Sequence, residues 1–421
     1  MTRRDFFALS TLALAGAALR VRADTDLPLP SRPARARRVT GTVYVDVNHN
    51  GRCDAGDKPL AGVLVSDGAT IVRTDALGRY QLPPSATGLL PATGSLVRMS
   101  IPSGYWPVGN RWFARVAPGD ATACDFTLTP QAQPSSWSMV QVSDLHYFKP
   151  AAKQLRAFCA QVNALPTGRS ALTAPAFLMA TGDLVVESNA ASHDAAARRL
   201  FHDYAEAVAP LHAPLFTLPG NHDLPGVVSH MAPDDPLYGK RGYEALVGPA
   251  HYSFNYGGVH ILALDSNLVR PQHVRGGFSS ECLAWLRADL SLTPADQPLL
   301  VFCHQQPVCW DNPADLQAAL AGRKVLGLFC GHSHQSHNYA WDGSQAHEGG
   351  ALCGFWWLKQ CPDGKPRGFR LLQVTPEAVQ TQYVHAANPP HGEFSLVCRT
   401  LEQRASRDML MRMAARGLEN L

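Results

Sequence analysis

The sequence predicts an α/β region with a sheet covered on both faces, a small all-β sandwich ahead of it and a small α+β region behind it. Three observations carry this. Unbroken apolar runs of strand length recur through the middle of the chain: Met139–Val142, Ala176–Ala180, Leu215–Leu218, Val259–Leu264, Leu299–Phe302 and Val325–Phe329. Strands buried on both faces lose the polar alternation of a half-exposed sheet. Helix-length segments fall between some of them, at Lys153–Leu165, Ala190–Ala209 and Ser279–Leu290. Ahead of this region, short alternating runs at Val39–Val45, Gly62–Val65, Ile71–Thr74 and Arg79–Leu82 are separated by turn residues, the pattern of an antiparallel sandwich.

A chain of 421 residues has room for two or three domains and at least one large core. Apolar residues make up 46% and charged residues 17%, an ordinary globular composition. The net charge of +3 is too small for nucleic acid to be a main partner. Residues 1–23 read as a twin-arginine-type signal peptide: Arg3 and Arg4 precede an apolar run, Phe6–Leu19, too short to span a membrane, and small residues follow. The mature protein is therefore expected to be periplasmic or secreted, without a transmembrane segment. Residues 24–38 read as a Pro- and Arg-rich linker, 39–130 as the β-sandwich of immunoglobulin- or prealbumin-like type, 137–340 as the central α/β region and 341–421 as a C-terminal accessory region. Within the last, Phe369–Val374 and Val379–Val384 read as a hairpin, and Leu401–Arg416 as an amphipathic helix.

The chemistry sits where the apolar runs end. Asp144-Leu145-His146 follows the first, Gly182-Asp183 the second and Gly220-Asn221-His222-Asp223 the third. His304 follows Leu299–Phe302, and Gly331-His332-Ser333-His334 follows Val325–Phe329. Sites in open α/β sheets lie at the carboxyl ends of strands, so residues scattered along the chain would converge on one edge. Carboxylate, amide oxygen and imidazole together suit a borderline divalent metal. The spacing in Asp144-x-His146 and His332-x-His334 lets both side chains reach one side. Gly182, Gly220 and Gly331 allow tight turns and close approach. Each piece alone is common; the ordered set of five is specific.

This order of motifs resembles the calcineurin-like metallophosphoesterases, over residues 138 to about 336, and His251-Tyr252-Ser253-Phe254 and Leu264-Asp265-Ser266 add to the likeness. The resemblance implies a two-sheet αββα sandwich. It implies one metal on Asp144, His146, Asp183 and His334, a second on Asp183, Asn221, His304 and His332, and Asp183 bridging them. The ions would be manganese, zinc, iron or cobalt. It further implies phosphate mono- or diester hydrolysis by a metal-bridging hydroxide, with His222 as the acid–base group and Asp223 orienting it. Purple acid phosphatases place a Tyr three residues after the bridging Asp; here that residue is Val186, which argues against a tyrosine-bound ferric ion. Two alternatives stay open: a phosphodiesterase acting on cyclic nucleotides or nucleotide sugars, and a non-catalytic envelope-binding protein with structural metals.

The flanks carry further expectations. Asp46, Asn48, Asn50, Asp54 and Asp57 have the spacing of a calcium loop, with Asp at the last position, and a calcium ion or a solvated turn would both account for them. The tract Leu352–Trp357 is either an aromatic wall beside the site or core packing. Among ten cysteines there is no CxxC pair; Cys53 with Cys124 and Cys353 with Cys361 are candidate bridges.

Overall fold

The computed structural model describes residues 39–387 apart from 52, 84–94, 117–121, 166–173, 192–193, 230 and 358–359. The segments read as a signal peptide, linker 24–38 and the C-terminal helix lie outside the described residues. Among the described residues no helix is long and apolar enough to cross a membrane.

Two sheets lie face to face behind the catalytic motifs. The first runs Leu215–Thr217, Leu178–Ala180, Trp137–Val142, Gly368–Val374, Val379–His385; its first three strands are parallel and the last two antiparallel. The second runs Tyr252–Tyr256, Val259–Ala263, Leu299–Phe302, Val325–Cys330, Ser344–Glu348, Asn338–Trp341, with a parallel centre and antiparallel edges. Alternation along each strand explains the layering. Met139, Phe177, Met179 and Phe216 point between the sheets and meet Phe254, Ile261, Phe302 and Phe329 from the other side. Phe216 stacks on Phe254 with ring centroids 4.3 Å apart. Truncating one such buried Phe to Ala costs roughly 3–5 kcal/mol.

The intervening residues point outward and are covered by helices. Val140, Val142, Leu178 and Ala180 bury against helices Ala152–Asn163 and Asp194–Val208. Leu262, Val301, Cys303 and Leu328 bury against helices Ser280–Leu292 and Pro313–Leu320. Ser279 caps one of these, its Oγ accepting from Cys282 N at 3.2 Å. The other opens on Pro313, the position where a missing N–H costs nothing. The result is an αββα sandwich.

The strand-rich N-terminal part is two small sheets, one centred on Val39–Val45 and one formed by Ile71–Arg73, Leu64–Ser66, Ser95–Met99 and Phe113–Val116. It is not a loose appendage. Val43, Val65, Phe126 and Leu128 share one hydrophobic cluster with the inter-sheet residues. Polar contacts pin the join: Trp285 Nε1 donates to Ser66 Oγ at 3.1 Å, and Asn255 N donates to Ile101 O at 2.9 Å.

The C-terminal region is tied in differently from its sequence pattern. Ser344–Glu348 pairs with Val325–Cys330, and Gly368–Val374 pairs with Trp137–Val142, so this region completes both catalytic sheets. The change of character at 340 is a change of pattern that the sheets do not observe. Cys53, Cys124, Cys353 and Cys361 are all free thiols, so neither candidate bridge is present.

Candidate metal centre

The strand ends deliver every motif to one edge. The backbone turns sharply there: Asp144, His146, Asp183, His332 and His334 all have positive φ, between 41° and 72°. Non-glycine residues adopt this region at a cost of order 1–3 kcal/mol each, which persists only when surrounding contacts over-determine it. Close packing enforces it here. A Cβ on Gly220 would run into the Asp183 carboxylate, and one on Gly331 into Ser143 and Asp144.

The side chains form two groups that meet at Asp183. In one, His146 Nε2 lies 3.1 Å from His334 Nε2, and His334 Nε2 lies 3.4 Å from Asp144 Oδ1. In the other, His304 Nε2 lies 3.0 Å from Asn221 Oδ1, and His332 stands beside it with ring centroids 5.1 Å apart. Asp183 Oδ2 is 3.4 Å from both His146 Nε2 and His304 Nε2. Its Oδ1 is occupied by His222 N at 2.9 Å, which leaves Oδ2 for the space between the groups. Asp144, His146, Asp183, His304 and His334 are buried, whereas Asn221, His222 and His332 are half-buried and mark the open side.

Backbone carbonyls fix the tautomers. His334 Nδ1 donates to Gly354 O at 2.6 Å, and His304 Nδ1 donates to Thr181 O at 2.8 Å. Each neutral ring therefore presents an Nε2 lone pair inward. His304 Nε2 then faces Asn221 Oδ1 and Asp183 Oδ2, and His334 Nε2 faces Asp144 Oδ1, an arrangement that a shared positive charge relieves. The electrostatics agree for most members. Burial holds His146 well below the usual imidazole range and pulls His332 down to about 3, so both keep a lone pair. Burial alone would raise Asp183, but His304, His222 and His146 outweigh it and hold the carboxylate well below its ordinary value. His304 goes the other way: against the burial cost, Asp183 lifts it to about 9. A proton is the cation it attracts when no metal is bound, and a metal must displace it. The donor set of carboxylate, amide oxygen and imidazole thus fits divalent transition metals. Cys353 also lies within reach of His146 and His334, but burial pushes its thiol well above the ordinary range and its Sγ donates to Gly354 O, so it is not a thiolate ligand.

His222 is held for a different task. Its Nδ1 donates to Val186 O at 2.7 Å, which leaves Nε2 of this half-buried ring for proton exchange. Asp223 does not touch this ring. Its carboxylate accepts from Leu184 N, Val185 N and Gly220 N at 2.9–3.1 Å, so it ties the loop carrying Asp183 to the loop carrying His222 and acts through the backbone. Burial raises Asp223 to about 7, with Asp183 adding to the rise.

Several contributors carried no signal in the sequence. The carbonyls of Thr181, Val186 and Gly354 orient three histidines, and a carbonyl is present whatever the residue. Trp356 stands against His146, His222 and His334 with ring centroids 4.2, 5.1 and 5.4 Å away. Its neighbour Trp357 is core, and donates Nε1 to His146 O at 3.0 Å. The tract therefore supplies both an aromatic wall and core packing. In the N-terminal loop, Asp46 accepts from Asn50 N and Gly51 N, Asp57 from Val47 N and Asp54 N, and Asn48 Nδ2 donates to Asp54 Oδ1. The five residues singled out there do share one loop, closed on itself by hydrogen bonds.

Comparison with known proteins places this arrangement. Residues 138–336 match the family described as calcineurin-like phosphoesterase, and residues 47–131 match the N-terminal domain described for calcineurin-like phosphoesterases. The 3′,5′-cyclic adenosine monophosphate phosphodiesterase CpdA of Escherichia coli K12 is 28% identical over 224 residues, which is 49% of this chain and 73% of that protein. A probable glycerophosphodiester phosphodiesterase, GpdQ, of Arcobacter nitrofigilis is 26% identical over 219 residues, 48% of this chain and 74% of that one. Among solved structures, PhoD aligns over 93% of both chains at 10% identity with a TM-score of 0.42, too distant to bear on the site. Family and homologues together define a metal-dependent phosphoric ester hydrolase. Within that class, the chain belongs to the calcineurin-like phosphoesterase family.

Proposed function

We propose that this protein is an exported phosphodiesterase that works with two divalent cations, one held by Asp144, His146, Asp183 and His334 and the other by Asp183, Asn221, His304 and His332. The observation that carries this is Asp183 Oδ2, equidistant at 3.4 Å from an imidazole of each group. Such a pair, when bound, supplies a nucleophile at neutral pH and offsets charge on the phosphoryl oxygens. The names of the homologues support a diester over a monoester, and the N-terminal sequence supports export to the periplasm or beyond.

The chain's own residues do the rest. The Val186 carbonyl keeps the proton on Nδ1 of neutral His222, so the proton that moves is the one on Nε2. Protonated there, His222 donates to the departing oxygen, and afterwards its Nε2 takes a proton back. Asp223 keeps His222 and Asp183 at a fixed separation by gripping both loops.

The test is hydrolysis of bis-(p-nitrophenyl) phosphate beside p-nitrophenyl phosphate by metal-reconstituted wild type, Asp183→Ala and His222→Ala. The expected result is a diester preference in the wild type, no activity in Asp183→Ala and a loss of roughly 10²–10⁴-fold in His222→Ala. Activity persisting in Asp183→Ala would place the site elsewhere. A monoester preference would overturn the diester reading alone.

A further inference from the structure

Trp356 is a large aromatic that the core does not use. Trp357 beside it is buried, whereas Trp356 is half-buried. It lies outside the residues matched by the family description. Both tryptophans have positive φ, 53° and 63°, a conformation that bulky residues adopt only under constraint. The constraint is visible. Cys353 N donates to Asp144 O at 3.1 Å, Trp357 N to Cys353 O at 2.9 Å, Trp357 Nε1 to His146 O at 3.0 Å, and Gly354 O accepts from His334 at 2.6 Å. This turn is built onto the metal centre, and it sets the indole of Trp356 tilted at 44–65° over His334, His146 and His222.

Position decides what the ring can do. On the assignment of His222 to the leaving oxygen, which this inference adopts, a group departing from phosphorus emerges beside His222. The Trp356 centroid is 5.1 Å from that imidazole. We propose that Trp356 is a specificity-determining residue, the wall on which a planar aromatic leaving group stacks, so that the preferred substrates are phosphate esters of aromatic alcohols or of other flat ring systems. An indole presents a polarisable face with little side-chain entropy to lose, and ring pairs gain about 0.5–1.5 kcal/mol beyond area burial, roughly 2- to 12-fold in affinity. A flexible aliphatic chain gains nothing comparable from the same wall.

The test is calorimetric binding to the manganese-loaded protein of two phosphonates that cannot be hydrolysed, benzylphosphonate and cyclohexylmethylphosphonate, with inorganic phosphate as reference. The two phosphonates match in size and differ in flatness. Wild type and Trp356→Phe should bind the benzyl compound roughly 2- to 12-fold more tightly than its saturated counterpart. Trp356→Leu keeps bulk over His146 but should lose that preference, its affinities for the benzyl and cyclohexyl compounds becoming equal. Equal affinity of the two phosphonates in wild type, or a preference that survives in Trp356→Leu, overturns the proposal. So does a uniform weakening of all three ligands in Trp356→Leu with the preference intact, which is the signature of a structural role. Wild type that binds phosphate without an aromatic preference defeats this inference alone. Wild type that binds none of the three defeats the metal-centre reading with it.

Discussion

In the loop from Asp46 to Asp57, carboxylates are met by donors of the same loop: Asn50 N and Gly51 N reach Asp46, and Val47 N and Asp54 N reach Asp57. At the strand ends the carboxylates take backbone donors too, Asp144 from His332 N and Asp183 Oδ1 from His222 N, but Asp183 Oδ2 and the inward imidazole nitrogens are left facing one another. His334 and His304 spend their donors on backbone carbonyls and turn lone pairs toward Asp144, Asp183 and Asn221. Both clusters are rich in metal-ligand types, and composition alone does not separate them. What separates them is what remains once the backbone donors are counted: at the strand ends Asp183 Oδ2 and the Nε2 atoms of His304 and His334 still face other acceptors. A satisfied cluster is stable without a cation, whereas an acceptor-against-acceptor cluster requires a positive charge.

Substitutions and ions can break or sharpen that contrast. The largest effect is expected from chelation: removing divalent metal should abolish ester hydrolysis, and restoring manganese or zinc, but not calcium, should recover it. Gly220→Ala should come next. Its Cβ meets the Asp183 carboxylate, so bound metal and activity should both fall sharply in metal analysis and steady-state assay. Gly56→Ala in the N-terminal loop meets nothing within 4 Å and should leave both unchanged, with stability inside about 0.5 kcal/mol. Asp46→Ala should take the acceptor from Gly51 N, while Asn50 N keeps Asn48 Oδ1, and should lower stability by roughly 0.5–1.5 kcal/mol in a denaturant titration while kcat/KM stays at the wild-type value. The last effects concern melting. Two transition-metal ions, each at 100 times its Kd, should raise Tm by about 6–8 °C. Calcium at 10 mM should raise it by less than about 2 °C, since a loop of this type binds weakly and its carboxylates already have donors.

Much of this was legible in the sequence because it is local. The apolar runs from Met139 to Phe329 announce buried strands, and the residue just past a strand's carboxyl end is set by chain direction. That is why Asp144, Asp183, Asn221, His304 and His332 could be named together. What was not legible is non-local or belongs to the backbone. Gly368–Val374 pairs with Trp137–Val142 across more than two hundred residues, and no pattern in either strand names its partner. The short helices Lys240–Leu246 and Pro313–Leu320 carry too few turns to show periodicity. The positive φ of His146 and His334 is imposed by packing, since imidazole has no strong preference for that conformation. Asp223 sits one residue from His222, and sequence suggests a pair of side chains in contact, yet its oxygens are consumed by three backbone donors.

The central claim is that Asp183 stands between two cations. Anomalous diffraction from crystals of the manganese-loaded protein tests it directly. The account predicts two peaks, about 3.5–4 Å apart, flanking the Asp183 carboxylate. A single peak on either group, or two peaks neither of which touches Asp183, would contradict it.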